Sequence, residues 1–176
     1  PEPSVTPDDA QAASRHSQPG TPITHTEFRD WSFAEGGIKF QADKVAGWTY
    51  GSCGPVDGQG VLAENKCRRA VQLVYSAYRG HLKAVQLMLA FPSDRAAKAT
   101  ADRLSRLTST AVRWRQDKAL PDYAYGKILS GASKKYVIVT IVTADRSADP
   151  MAPNFHAYLQ SDQTDYFERR DLTITS

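Results

Sequence analysis

Cysteine is scarce in this chain: its 176 residues hold two, Cys53 and Cys67. Their spacing fits neither a redox C-x-x-C motif nor a paired zinc knuckle. Long hydrophobic runs are lacking as well. The longest, Tyr136 to Val142, is strand-sized and falls well short of the roughly 18 apolar residues that cross a bilayer. No signal-peptide pattern is present. A start at Pro1 reads as a processed piece, with any targeting or membrane segment upstream. There is no G-x-S-x-G elbow and no S-x-x-K motif. The four histidines, His16, His25, His81 and His156, show no metal-ligand spacing. Asp117, Asp122, Asp145 and Asp149 sit in loops without an evident partner. Catalysis is left only the route of a site assembled from distant residues, so the reading leans away from an enzyme. No cofactor or metal is expected.

A chain that is 41% hydrophobic and 23% charged has the make-up of an ordinary globular domain. The net charge of +3 is modest, but it is unevenly spread. Between Arg68 and Lys118 lie eleven Lys and Arg residues and only three Asp. Residues 1–26 are rich in Pro, Ser, Thr, Gln, Asp and Ala. Such a stretch buries too little apolar surface to offset ordering, and it reads as a linker or stalk before a single domain over 27–176.

Ile38, Phe40 and Ala42 alternate with polar residues, as in a half-buried strand. After a break at Gly47, Trp48 and Tyr50 form a second short strand that leads to Cys53. Val71 to Ala77 and Val85 to Phe91 read as a hairpin around Arg79-Gly80-His81. Pro92 ends it. Ser93 then caps a helix with Ala97, Ala101, Leu104, Leu107 and Ala111 on one face. A second hairpin joins Tyr125–Leu129 to Lys135–Ala144 through a turn over Ser130–Lys134. Its second arm is apolar on both faces, as a central strand covered on both sides would be. Phe155 to Arg169 reads as a second helix and Leu172 to Thr175 as an edge strand. The expected fold is α+β: an antiparallel sheet built from two successive ββα units, with helices mainly on one face and one disulfide.

The loop between Cys53 and Cys67 is polar and rich in turn formers, which favours a disulfide over two free buried thiols. Closing it would stabilise the fold by roughly 3 kcal/mol and would place the chain in an oxidising compartment. Gly58-Gln59-Gly60-Val61-Leu62-Ala63 fits G-x-G-x-x-A, and Tyr123 with Lys127 fits Y-x-x-x-K. Dinucleotide binding would need a strand before the glycines and a helix after them. The motif lies inside the cysteine loop, so that reading is set aside.

Arg95, Lys98, Arg103 and Arg106 share the polar face of the first helix. They could meet an anionic membrane, a wall polymer or an acidic protein patch; the plain alternative is a solvated outer face. Nucleic acid is a poor fit without aromatic-basic interleaving. Trp48, Tyr50 and the outward Tyr78 are candidate groove aromatics, with core packing the alternative for Trp48.

The stretch from Gly47-Trp48 through Cys53 and Cys67, the strand hairpin, Pro92-Ser93 and the Ala-rich helix to Ala101 resembles a pattern in actinobacterial membrane-anchored or secreted extracytoplasmic domains. It is similar to PknH-type sensor and lipoprotein domains, which carry more disulfides than the single bridge two cysteines allow. The resemblance implies location and α+β architecture, and it carries over no functional residue. The resulting expectation is a non-enzymatic interaction or sensor domain at the cell envelope, membrane-anchored or secreted. Its partner would be an envelope protein or an anionic membrane or wall component, with homo-oligomerisation open. The alternatives are a small-molecule or lipid-binding domain with its ligand between sheet and helices, and a secreted enzyme with a dispersed site.

Overall fold

A computed structural model describes residues 21–170. Leu172–Thr175 and most of the segment read as a linker lie outside these residues. The described chain forms six strands: β1 (Trp31–Glu35), β2 (Ile38–Tyr50), β3 (Arg69–Ala77), β4 (Leu82–Ala90), β5 (Tyr125–Ser133) and β6 (Tyr136–Ala144). They make one antiparallel sheet in the order β1-β2-β3-β4-β6-β5. Three α-helices accompany them: α1 (Val61–Glu64), α2 (Asp94–Leu104) and α3 (Ala152–Arg170). The α+β class and the two ββα units, β3-β4-α2 and β5-β6-α3, are those expected.

The helices take both faces of the sheet rather than lying mainly on one. Phe155, Leu159 and Phe167 of α3 pack with Val71, Leu73, Met88, Ile138 and Val142. Ala97, Ala101 and Leu104 of α2 pack with Leu87, Leu89, Val137 and Val139 on the opposite face, beside Val61 and Leu62 of α1. The cause is β6, whose nine residues are all buried. A strand apolar on both faces needs a cover on each.

Local chemistry sets most boundaries. Ser93 Oγ accepts from Ala96 N at 3.1 Å, the cap that starts α2. The second hairpin turns at Lys134–Lys135, so β5 is longer than the pattern suggests and Ser130 to Ser133 belong to the strand. The reading missed β1, which pairs with β2 through Trp31↔Ala42 and Phe33↔Phe40. It also split β2, which is one strand bulged between Lys44 and Ala46. The extra residue reverses the facing of everything after it. Phe40 and Ala42 therefore join the α3 face, while Tyr50, an even number of positions later, joins the α2 face.

Cys53 and Cys67 are joined in a disulfide, with their Cα atoms 5.8 Å apart. Such a bond fits an extracellular or oxidising environment. The loop it closes is stitched to the connection that leads from α2 to β5. Arg113 N donates to Val56 O at 2.7 Å and Gly58 N to Ala111 O at 3.1 Å. A Cβ on Gly58 would lie 2.1 Å from Thr110 O, so this approach requires glycine. Asp57 caps α1, accepting from Gly60 N at 2.8 Å and Ala63 N at 2.9 Å. The glycines of the G-x-G-x-x-A match thus serve a turn and a backbone contact, and no strand precedes them.

The chain before β1 packs on the α3 face, with Ile23 and Phe28 in the core. Its clamp is a buried ion pair. Arg170 Nε and Nη2 donate to Glu27 Oε2 and Oε1 at 2.6 and 3.0 Å, and Nη1 donates to Tyr136 OH at 2.9 Å. Tyr166 OH donates to the same Glu27 carboxylate. The carboxylate outweighs the effect of burial and holds the guanidinium firmly charged. Glu27→Gln takes the carboxylate away from that buried guanidinium. The substitution should cost about 3–5 kcal/mol, read as a lower urea midpoint at unchanged slope; an unchanged midpoint would refute the clamp.

Candidate functional site

Where β1 and β2 run past the helices, aromatic rings collect. Trp31 stacks against both Phe33 and Phe40, with ring centroids at 6.3 and 6.0 Å. Tyr158 of α3 meets Phe33 at 5.0 Å and Phe40 at 5.5 Å. Phe155 stands edge-on behind Trp31, Phe40 and Tyr78. Trp31 and Phe155 are buried, whereas Phe33, Phe40, Tyr78 and Tyr158 are half-buried. Trp31 Nε1 donates to Asp162 Oδ2 at 2.8 Å, which ties the cluster to α3.

Phe33, Phe40 and Tyr78 line an open groove of about 590 Å³ together with Ser32, Ala34, Lys39 and Gln41. A second hollow of about 430 Å³ adjoins it through Gln41 and Tyr78 and is bordered by Asp43, Ser76 and Arg79. Tyr78 therefore stands at the junction of the two, and burial pushes its phenol pKa up.

The turn that presents Tyr78 is left-handed over three successive residues: Tyr78 (φ 53°), Arg79 (φ 56°) and Gly80 (φ 87°). Only glycine takes this conformation freely; the other two each cost about 1–2 kcal/mol. Strained turns of this kind gather at ligand-contacting positions. Next in the chain, exposed His81 meets Asp145 through Nδ1 at 2.5 Å. That hydrogen bond, with help from Ser147, lowers the Asp145 carboxyl to about 2. The pair fixes the outer end of the β3–β4 turn to the end of β6.

Behind the groove the sheet and α3 share a polar seam. His156 Nε2 lies 2.8 Å from Thr140 O, and its Nδ1 lies 2.8 Å from Tyr125 OH. A carbonyl can only accept, so the proton sits on Nε2 and Nδ1 accepts from the phenol. Gln86 donates to Thr140 Oγ1, and Gln163 donates to Gln86 Oε1 and Tyr75 OH. These groups satisfy one another, so the seam is scaffold.

The residues singled out from the sequence are not brought together. Arg95, Lys98 and Arg103 are exposed on α2, Arg106 is exposed in the turn just past its end because the helix stops at Leu104, and Arg103 lies 3.8 Å from Glu64. Trp48 lies under the Arg115 guanidinium, 3.8 Å from its ring centroid. Tyr50 OH accepts from Gln72 Nε2 at 2.9 Å, and Gln72 Oε1 accepts from Arg115 N at 2.9 Å. These two aromatics anchor the α2–β5 connection. Of the three, Tyr78 lines a groove, on the opposite face from the basic helix. The ring partners Phe33, Phe40 and Tyr158 were missed; the spacing of Trp31 and Phe33 was the available signal. Among the described residues no group of three His, Cys, Asp or Glu side chains is placed to hold a metal, and no helix is long and apolar enough to cross a membrane.

No protein-family model, no curated protein and no solved structure matches the chain.

Two outcomes follow from this geometry. Arg79→Gly relieves left-handed strain and should raise stability by about 1 kcal/mol, read as a higher thermal midpoint; a lower one would show that Arg79 is held by contacts instead. Burial lowers the His156 pKa, so below about pH 6.5 the unfolded chain takes up a proton that the folded chain refuses. Stability should fall on acidification by up to about 1.4 kcal/mol per pH unit from this group. Urea midpoints of wild type and His156→Gln should converge from pH 7.5 to about pH 5. Parallel profiles would remove His156 as the titrating group.

Proposed function

We propose that this chain is a non-enzymatic recognition or sensor domain of the cell envelope, working outside the cytoplasm as a secreted or membrane-anchored part. The observation that carries the reading is the open aromatic groove at Tyr78 on a disulfide-bonded domain. Aromatic rings half-exposed beside hydrogen-bonding rim groups are the composition of binding surfaces. Side chains of both layers pack against the sheet, and the hollow between sheet and helix cover, an apolar cleft of about 280 Å³ at the end of α2, is smaller than the aromatic groove, which favours surface recognition over a ligand enclosed between the layers. Beside the groove His81 is taken up by Asp145, and Ser76 Oγ accepts from Lys83 Nζ at 3.2 Å; the reading rests on the aromatic surface and not on these groups.

The exposed cations of α2 and of the turn after it supply a second surface, suited to anionic headgroups or wall polymers. Co-sedimentation at low salt tests both, using vesicles of anionic phospholipid and insoluble cell-wall polymer as separate probes. Retention on at least one is expected. The Arg95→Gln, Lys98→Gln, Arg103→Gln, Arg106→Gln variant should lose vesicle binding with an unchanged thermal midpoint, and Tyr78→Ser should lose wall binding. A wild-type protein retained by neither probe would overturn the proposal.

A further inference from the structure

The sheet ends in strands of unequal character. β1 is five residues long, whereas β5 has nine and carries Ile128 and Leu129 exposed by 37% and 39%. Among the described residues β5 pairs only with β6, so its outer rim is an open ladder. Edges of this length are normally shortened, bulged or heavily charged against pairing. Within β5 the single charged residue is Lys127.

The direction of the free groups follows from the turn. Lys134–Lys135 form a two-residue connection that makes Ser133 and Tyr136 a hydrogen-bonded pair. Alternate residues Ser133, Gly131, Leu129, Lys127 and Tyr125 therefore bond inward to β6. The N–H and C=O groups of Gly126, Ile128, Ser130 and Ala132 point outward, with their side chains on the α2 face.

This arrangement is complementary to itself. In an antiparallel pair of two copies centred on Leu129, Gly126 faces Ala132 and Ile128 faces Ser130. All four outward residues then meet outward residues, giving about eight main-chain hydrogen bonds. Registers centred on Ile128 or Ser130 leave some of them unmatched. The charges agree with the same register. Lys127 faces Gly131 and meets no like charge, while the Lys134–Lys135 turn of one copy is carried toward Asp122 and Tyr123 of the other. Leu129 faces its own symmetry mate. Ile128 of each copy comes to Ser130, at the mouth of an apolar cleft of about 280 Å³ that Leu104, Leu107, Val112 and Val139 also line.

We infer that β5 is a homodimerisation edge, at which a second copy of this chain continues the sheet across a two-fold axis through Leu129. An isologous contact of this kind closes on itself and does not propagate. It leaves the aromatic groove at the opposite end of the sheet free, so the dimer would present two grooves facing away from each other. The inference stands independently of the envelope reading.

Sedimentation velocity from about 5 to 500 µM reads the association directly. The wild type should move from monomer toward dimer mass across that range. Leu129→Arg and Leu129→Glu each set like charges face to face and should weaken self-association at least about tenfold. An equimolar mixture of the two should recover a dimer. Both substitutions are at an exposed side chain, and far-UV circular dichroism with thermal melting confirms folding. Ser130→Pro, which removes an outward N–H and leaves the β6 ladder intact, should also give a monomer. The inference fails if the wild type stays monomeric throughout. It fails equally if a dimer forms that the Leu129 variants do not weaken and their mixture does not restore.

Discussion

β6 organises this molecule. All nine of its residues are buried, with Ile138 and Val142 facing one layer and Val137, Val139 and Ile141 the other. An apolar strand of this kind is stable only between two covers, and each must be an element that hides its own backbone hydrogen bonds. The helices of the two ββα units meet that need by going to opposite faces. Both stand over the β5–β6 half of the sheet, and on one face α3 also reaches β1 and β2 through Phe155, Tyr158 and Asp162. The β1–β2 half is covered further by the chain before β1 on that face and by the cysteine loop and the α2–β5 connection on the other. The aromatic groove lies where that first cover stops, and the open β5 edge lies where the other half of the sheet ends.

Much of this was legible in the chain, for identifiable reasons. The hairpins were visible because apolar residues alternate along β3 and β4, because β6 is a continuous apolar run, and because turn residues bound them; α2 was visible because Pro92-Ser93 announces it. The two-faced character of β6 was also visible, and it already implied helices on both sides; fold-class habit placed them on one. β2 was misread because a single bulge residue inverts the alternation, so Phe40 and Trp48 look equivalent in the sequence and lie on opposite faces. Gly47 seemed to end a strand, yet its missing side chain makes room for His25, whose ring would lie 2.9 Å from a Cβ there. No local pattern records such a long-range contact. For the same reason the candidate site was only partly found: Tyr78 could be picked out, but Tyr158 reaches it through a helix eighty residues later in the chain.

The cover on the α3 face is held by polar groups as much as by apolar ones. Arg170 gathers Glu27, Tyr136 and Tyr166 at the end of α3, and His156 with Gln160 and Gln163 sews the middle of the helix to the sheet. Pairs of this kind add little net stability over a well-packed apolar equivalent, because their desolvation is costly. They are demanding about geometry, however, since any shift of α3 along β6 leaves several buried donors unmatched. The seam therefore fixes where Phe155 and Tyr158 stand relative to Phe33 and Phe40.

For the proposed recognition role, that fixed position has a direct consequence. A groove whose rings must be ordered by the ligand loses affinity to the ordering, whereas one ordered beforehand does not. Here Trp31 is held through its indole N–H to Asp162, Phe155 is locked in the core, and the left-handed turn gives Tyr78 little choice of direction. The strain in that turn has no evident packing benefit of its own: Arg79 is exposed, and the His81–Asp145 pair lies in solvent. What the turn does is hold a half-buried phenol between two hollows. A free-energy cost maintained at that one point, on a scaffold rigidified from behind, is best understood as the cost of keeping the groove open.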